Sequence, residues 1–267
     1  MSVFDSPVHS CLWEVPISAP QSFKVSGSLA LAPDYEEDAP TADVVVPDYL
    51  EKTYWWAYVR PWAIRIFERE WLVDLILWGC YKLLRDAALR VFGDHLPGRT
   101  VQLSCVYGSL TKLLYAKVEA SGGSLDVVDV VKPQLENLQR KLPPGNKVRR
   151  LNMDVSKLSL PDASYDRAML FFLMHEQPRD VREATLREAF RIVKPGGDVL
   201  ILEFAKPKWW HPLRYLWLPF LAILEPFAPD IWNHEDVSAW LPQPWASRIT
   251  HREKLFGSFY QVLMIKA

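Results

Sequence analysis

The sequence predicts a doubly wound α/β domain, a mostly parallel sheet with crossover helices. Three observations predict it. From Thr100 onward, short apolar runs alternate with longer segments whose apolar residues recur at helical spacing. Residues Thr100 to Thr111 read as a strand, a sharp turn at Tyr107-Gly108-Ser109 and the start of a helix. Two later runs end in acids, Asp129 and Asp154, at the strand ends where such sheets take their ligands.

Composition bounds what this domain can be. The chain has 267 residues, 49% hydrophobic and 24% charged, which suits one α/β domain with additions. A formal net charge of −1 excludes nucleic-acid recruitment through bulk charge. Twelve Trp and 21 Pro fit either a thick core or contact with a large apolar ligand or membrane surface. Cys11, Cys80 and Cys105 lie far apart and form neither a metal motif nor a disulfide framework, as in a reducing compartment. The N-terminus has no secretory pattern. The longest uncharged apolar run, Tyr215 to Leu224, falls short of the ~20 residues that span a bilayer.

In chain order, residues 1–46 carry five prolines and an acidic patch, and are expected to be a partly disordered leader. Residues 47–267 form the domain. Within it, 47–92 is a helical cover, with Asp48 or Thr53 as candidate caps and Pro61 in the first turn of a second helix. Strands are expected at Thr100–Cys105, Ser124–Val130, Val148–Met153, Ser164–Phe172 and Val199–Phe204, and helices at Leu110–Val118, Lys132–Leu142 and Pro178–Val193. Lys194-Pro195-Gly196-Gly197 should end the last of these helices. Residues 206–246 are an aromatic insertion, and Ser247 to Lys266 closes the domain as an antiparallel hairpin.

An acid after the second strand of such a sheet accepts from ribose hydroxyls, so Asp129 is the candidate; capping the next helix is its alternative. Asp154 can accept from an adenine amino group or cap its own turn toward Ser156. His175-Glu176 follows the fourth strand, on the same sheet edge, and suits metal binding or proton transfer. Asn233-His234-Glu235-Asp236 is a second such group.

Thr100 to Thr111, Asp129, Asn152-Met153-Asp154, Leu160-Pro161-Asp162 with Ser164-Tyr165-Asp166, and Val193 to Gly197 together resemble the landmarks of class I S-adenosylmethionine-dependent methyltransferases, nearest the ubiquinone and menaquinone branch. Tyr49 to Tyr58, Cys105 to Gly108 and Phe171 to Pro178 resemble more closely the RquA family of rhodoquinone-biosynthesis proteins. The first resemblance implies a Rossmann-like fold holding S-adenosylmethionine through Gln102, Ser104, Cys105, Tyr107, Gly108, Asp129, Asp154 and Val155. The second implies that ubiquinone is the substrate, S-adenosylmethionine the amino donor, and manganese a requirement.

The resemblance to methyltransferases breaks at one place. Where they carry an acid that holds the methionine ammonium, this chain carries Gln102. Ser104 and Val106 stand for glycines, and Tyr107 for a small residue. A carboxylate keeps a nearby amine protonated, and a protonated amine has no lone pair for attack. Gln102 removes that charge. His175, Glu176 and Tyr107 are the expected catalytic groups, and His175, Glu176 and His234 the expected metal ligands. Tyr54, Trp55, Tyr58 and Trp217 are expected to face the quinone, and the aromatic insertion to touch a membrane surface on its cytoplasmic side. The alternatives are a conventional quinone methyltransferase and a cofactor-binding accessory subunit. The sequence does not fix an oligomeric state.

Overall fold

A computed structural model describes residues 44–216, 225–229 and 237–267, all within the compact unit Thr41–Ala267. Most of the 1–46 leader, as well as Trp217 and His234, therefore lies outside the described residues.

Seven strands form one sheet in the order β3-β2-β1-β4-β5-β7-β6. They are β1 (Arg99–Leu103), β2 (Ser124–Asp129), β3 (Arg149–Asn152), β4 (Tyr165–Phe171), β5 (Val193–Phe204), β6 (Ile249–Leu255) and β7 (Tyr260–Lys266). The first five run parallel, and β7 enters antiparallel between β5 and β6. The order reverses direction between β1 and β4, and this switch point opens a crevice at the carboxyl ends of the strands.

Three helices cover one face, α4 (Tyr81–Phe92), α5 (Leu110–Ala120) and, through Leu138, α6 (Lys132–Lys141); α7 (Arg179–Ile192) covers the other. The two-residue period of the strands explains why both faces are apolar. Met169 and Phe171 point to one core with Leu84 and Leu114, while Ala168 and Leu170 point to the other with Leu186 and Phe190. Of these helices, α6 has Pro133 in its first turn.

The cover is four short helical pieces before α4: α1 (Asp48–Thr53), a π-helical turn (Trp55–Val59), α2 (Pro61–Phe67) and α3 (Glu70–Ile76). Pro61 starts α2 as the sequence predicts. Pro47, not Asp48, occupies the cap of α1; Asp48 stands inside its first turn and pairs with Lys52, and Thr53 ends that helix.

One expectation needs correcting. Lys194 to Gly197 is not a loop before the fifth strand. β5 begins at Val193, directly after α7, and these residues swell from it where β4 skips from Tyr165↔Val193 to Arg167↔Asp198. Gly196 donates to the Ala267 carbonyl at 3.0 Å and Gly197 accepts from the Ala267 amide at 3.0 Å, so backbone pairing continues through a segment whose composition reads as a turn.

The cover is fastened to the turn after β1. Glu68 accepts from the Gly108 amide at 3.1 Å and from Lys141 at 3.0 Å, and Lys141 also donates to the Val106 carbonyl at 2.6 Å. The Tyr81 hydroxyl donates to the Tyr107 carbonyl and accepts from Leu110 N–H, the first amide of α5. Gly108 is required there twice over. Its φ is +79°, and a Cβ would lie 2.5 Å from the Tyr81 hydroxyl. We expect Gly108→Ala to cost about 2–3 kcal/mol, from left-handed backbone and the disturbed Tyr81 hydrogen bonds. Urea unfolding of the variant against Gly122→Ala measures this. Gly122 has a similar φ (+71°) and open space beside it, so it isolates the backbone cost.

Candidate active site

The carboxyl ends of β1, β2, β4 and β5 and the loop after β3 form the floor of a cavity of about 540 Å³, and the cover forms its roof. Its wall is mostly apolar, with a few polar groups converging on it, the usual character of a small-molecule site.

On the floor, Asp129 ends β2. Its carboxylate accepts from the Cys105 amide at 2.8 Å and the Val131 amide at 2.8 Å. Burial pushes Asp129 up to about 6, even though both backbone N–H groups favour its charged form. Each oxygen keeps a free lone-pair direction for a hydroxyl donor. Asp154 also lines the cavity, and one of its oxygens accepts from the Ser156 amide and hydroxyl. The turn-capping role is thus present, with the second carboxylate oxygen left toward Lys157 at 3.6 Å. Ser104, Cys105 and Val155 line the same floor. Burial pushes the Cys105 thiol well up, which makes it a poor nucleophile near neutrality.

Tyr107 projects from the turn into the roof. Its ring stacks between Tyr58 and Phe67, at 5.8 and 6.1 Å between centroids. Its hydroxyl donates to the Ala57 carbonyl and accepts from the Gln134 amide, each at 2.7 Å. A small residue here would leave that space empty, so the bulk at 107 reshapes the cavity directly above the first turn.

Gln102 and Gly108 stand behind this floor and do not line the cavity. The Gln102 side chain is fully buried; its amide donates to the Ser104 carbonyl at 2.9 Å, and its own oxygen has no partner. Ser104 sits at φ +81°, a conformation that a glycine would take without strain. Gly108 contributes its amide to Glu68 instead of to the cavity.

At the far wall, β4 ends at Phe171, and Phe172 takes φ +53° before a 3₁₀ turn over Met174–Glu176. His175 and Glu176 both line the cavity. Glu203, fully buried on β5, anchors this turn. It accepts from the Met174 amide at 3.0 Å and faces His175 Nδ1 at 2.9 Å. His175 Nε2 lies 3.8 Å from Glu176. Burial alone would push His175 down, but Glu203, with Glu225 and Glu176 behind it, lifts it to about 9. Burial pushes Glu176 up to about 8, and Glu225 is raised for the same reason. The Tyr58 hydroxyl faces Glu176, and that of Tyr54 faces Glu225. The wall is therefore a buried imidazole among three carboxyl groups, and burial holds two of them, Glu176 and Glu225, toward their neutral forms.

Tyr58 lines the cavity, whereas Tyr54 is buried beneath it and Trp55 turns outward, 46% exposed. Glu203, Glu225, Gln134 and Phe67 belong to the site and were not expected. Glu203 carried a signal, a lone acid in the apolar run Leu200 to Ala205. Glu225 carried none.

The donor chemistry of the far wall, imidazole with carboxylates, is of the kind manganese accepts. Even so, among the described residues no group of three or more His, Cys, Asp or Glu side chains is arranged to hold a metal ion. His175 and Glu176 alone do not complete a ligand set.

Comparison with known proteins agrees with this architecture. Residues 101–197 match the methyltransferase-domain family model. The ubiquinone/menaquinone biosynthesis C-methyltransferase UbiE of Azotobacter vinelandii is 28% identical over 138 residues, 50% of this chain and 53% of that protein. The same-named protein of Rickettsia akari is 29% identical over 140 residues, 51% and 55% of the two chains. The chain thus spans about half the length of the curated relatives it matches. A solved candidate S-adenosyl-L-methionine-dependent methyltransferase from Methanococcus maripaludis superposes with a TM-score of 0.50 at 18% identity, covering 77% of this chain and 92% of that one. The chain has the class I methyltransferase-like fold, and the match to the methyltransferase-domain model falls on the part of it from β1 to the start of β5.

Proposed function

We propose that this protein converts ubiquinone to rhodoquinone, replacing a ring methoxy group with an amino group donated by S-adenosylmethionine, in a manganese-dependent reaction. The observation that carries this reading is the first turn. A methyltransferase of this fold holds its methionine ammonium with an acid at the place of Gln102. Here an uncharged amide stands there, with an unpartnered oxygen, and Tyr107 fills the space above. An amine left neutral can attack a quinone ring carbon, which a protonated one cannot. The new C–N bond displaces the methoxy group, which leaves with a proton as methanol. The exchange is complete only when the cofactor's N–Cα bond is cleaved, with water taking the vacated carbon, so that the nitrogen stays on the ring as NH₂. The resemblance to the RquA family and the quinone named by the methyltransferase relatives support the substrate.

In this reading Asp129 takes the ribose hydroxyls and Asp154 the adenine amino group. Attack on the ring leaves negative charge on a quinone oxygen, and His175, cationic beside Glu203, is the group to meet it. Glu176 holds a proton near neutrality and can pass it on. The Tyr58 ring and the apolar wall accept the quinone. Manganese, when bound, would polarise a carbonyl as a Lewis acid. His175 could ligate it only as the neutral imidazole, a role that excludes the cationic one, so metal titration of His175→Ala and His234→Ala across pH tests those two ligands. The protein would work at the cytoplasmic surface of the quinone-bearing membrane. Trp209, Trp210 and Tyr215, 74%, 55% and 63% exposed, support this. No helix among the described residues is long and apolar enough to cross a membrane.

Mass spectrometry of the quinone after incubation with cofactor and manganese tests the function. Methoxy-to-amino exchange lowers the mass. A rise in mass would instead establish methylation, the reading favoured by the named relatives, and an unchanged quinone would leave only binding. The pH dependence of cofactor binding tests Asp129. Its charged form is the better acceptor for hydroxyls, so affinity for S-adenosylhomocysteine should fall as pH drops through about 6, up to about tenfold per pH unit. Calorimetry of the wild type and Asp129→Asn should show that slope in the first and not in the second.

A further inference from the structure

The outer side of α2 and α3 has no counterpart elsewhere in the cover. α3 contains Trp71, Leu72, Val73, Leu75 and Ile76, yet none of its residues is buried. One side of it, with Leu72, Val73 and Ile76, lines the cavity. The side carrying Trp71 and Leu75, one turn apart, faces out at 62% and 65% exposure. A helix that is apolar all round is normally covered all round. On α2, Trp62 and Ile66 are likewise exposed and one turn apart, with Trp78 exposed just beyond α3.

Charge sorts the same way. The three acids of this region turn inward: Glu68 to Gly108 and Lys141, Glu70 to Arg85, and Asp74 to the Tyr81 amide. Arg60, Arg65 and Arg69 are exposed and have no carboxylate partner among the described residues. Arg65 follows Trp62 by three positions and shares that helix face, while Arg69 stands in the extended link between α2 and α3. The outer surface is thus indole and aliphatic groups edged by guanidinium groups that have no carboxylate partner among the described residues, while Glu68, Glu70 and Asp74 are engaged with Gly108, Arg85 and Tyr81.

We propose that the α2–α3 face docks on an anionic phospholipid bilayer, and that α3 is the wall across which an apolar tail passes from that bilayer into the cavity. Indole rings suit the headgroup boundary, and arginines suit anionic headgroups. The cavity lies directly behind α3, and Ile76 belongs to both surfaces, lining the cavity while 40% exposed. The route taken by the tail rests on the quinone reading given above; the docking does not.

The test is co-sedimentation of the full chain with phosphatidylcholine vesicles, with and without phosphatidylglycerol, in the absence of quinone and cofactor. The wild type should partition onto the anionic vesicles. Trp71→Ser with Leu75→Ser should lower the partition coefficient at least about tenfold while circular dichroism stays unchanged. Arg60→Gln, Arg65→Gln and Arg69→Gln together should remove the preference for anionic lipid. Unchanged partition in the Trp71/Leu75 variant would overturn the proposal. So would a wild type that ignores vesicles and instead forms a dimer that this variant dissolves. Because no substrate is present, either result is independent of whether the protein aminates a quinone.

Discussion

Replacing Glu203 with Gln should lower product formation on the order of 100-fold. Glu203 touches no substrate in the proposed reaction; it acts through His175. Its carboxylate accepts from the amides of Met174, His175 and Phe204 and faces His175 Nδ1. That arrangement fixes the imidazole with Nε2 toward Glu176 and the cavity. A glutamine keeps the shape but loses the charge, and its NH₂ must face at least one donor. Burial then acts on His175 against Glu225 and Glu176 alone, and shifts it toward the neutral form. Breaking this buried pair should also cost about 3 kcal/mol of stability. Steady-state kinetics with urea unfolding at the same pH measures both. A positioning role requires kcat to fall with KM nearly unchanged, whereas a misfolded site would raise KM as well. Glu203→Asp, which restores charge at a shorter reach, should recover part of kcat. If Glu203→Gln kept wild-type kcat, the proton role assigned to His175 would be wrong.

The second large effect is expected at Gln102. Gln102→Glu is nearly isosteric, but it places a carboxylate where there is no solvent and where the nearest polar neighbour is the Ser104 carbonyl. Without cofactor, the variant should be less stable by about 3 kcal/mol. The reading requires the cofactor's amine to reach the buried side chain at 102 when bound, and the new carboxylate would then hold that amine protonated. Amine transfer should then fall about 100-fold at neutral pH and recover partly as pH rises and the ammonium deprotonates. Undiminished transfer at all pH values would remove the argument for a freed lone pair. A gain of methylated quinone in the same variant would show that this single position chooses between two reactions of one cofactor.

The frame of this protein was legible because its signals are local and periodic. The five parallel strands declare themselves as apolar runs, and the final hairpin by its Phe256-Gly257-Ser258-Phe259 turn. The bulged start of β5 was not legible, because Lys194 to Gly197 has the composition of a turn and the pairing partner that makes it strand, Ala267, is 70 residues away. The site divides similarly. Asp129, Asp154, His175 and Glu176 stand at strand ends, where topology alone brings them to one edge. Glu225 reaches that edge from the aromatic insertion, and Tyr58 and Phe67 meet Tyr107 only because the cover folds back over the turn. Nothing in their spacing specifies that return. Gln102 shows the reverse limit. Its identity was readable and its chemistry arguable, yet spacing does not specify its withdrawal behind the floor, where its amide donates to the Ser104 carbonyl.

The Glu68–Lys141 pair has one more implication. It joins a helix of the roof, the turn beneath it and α6 through a single set of contacts, so lifting the roof and loosening the turn are the same event. Whatever is held between them can depart no faster than that fastening lets go. Weakening it, as in Lys141→Met, should therefore speed turnover wherever escape of the spent ligand sets the pace, at the expense of how tightly the fresh one is gripped.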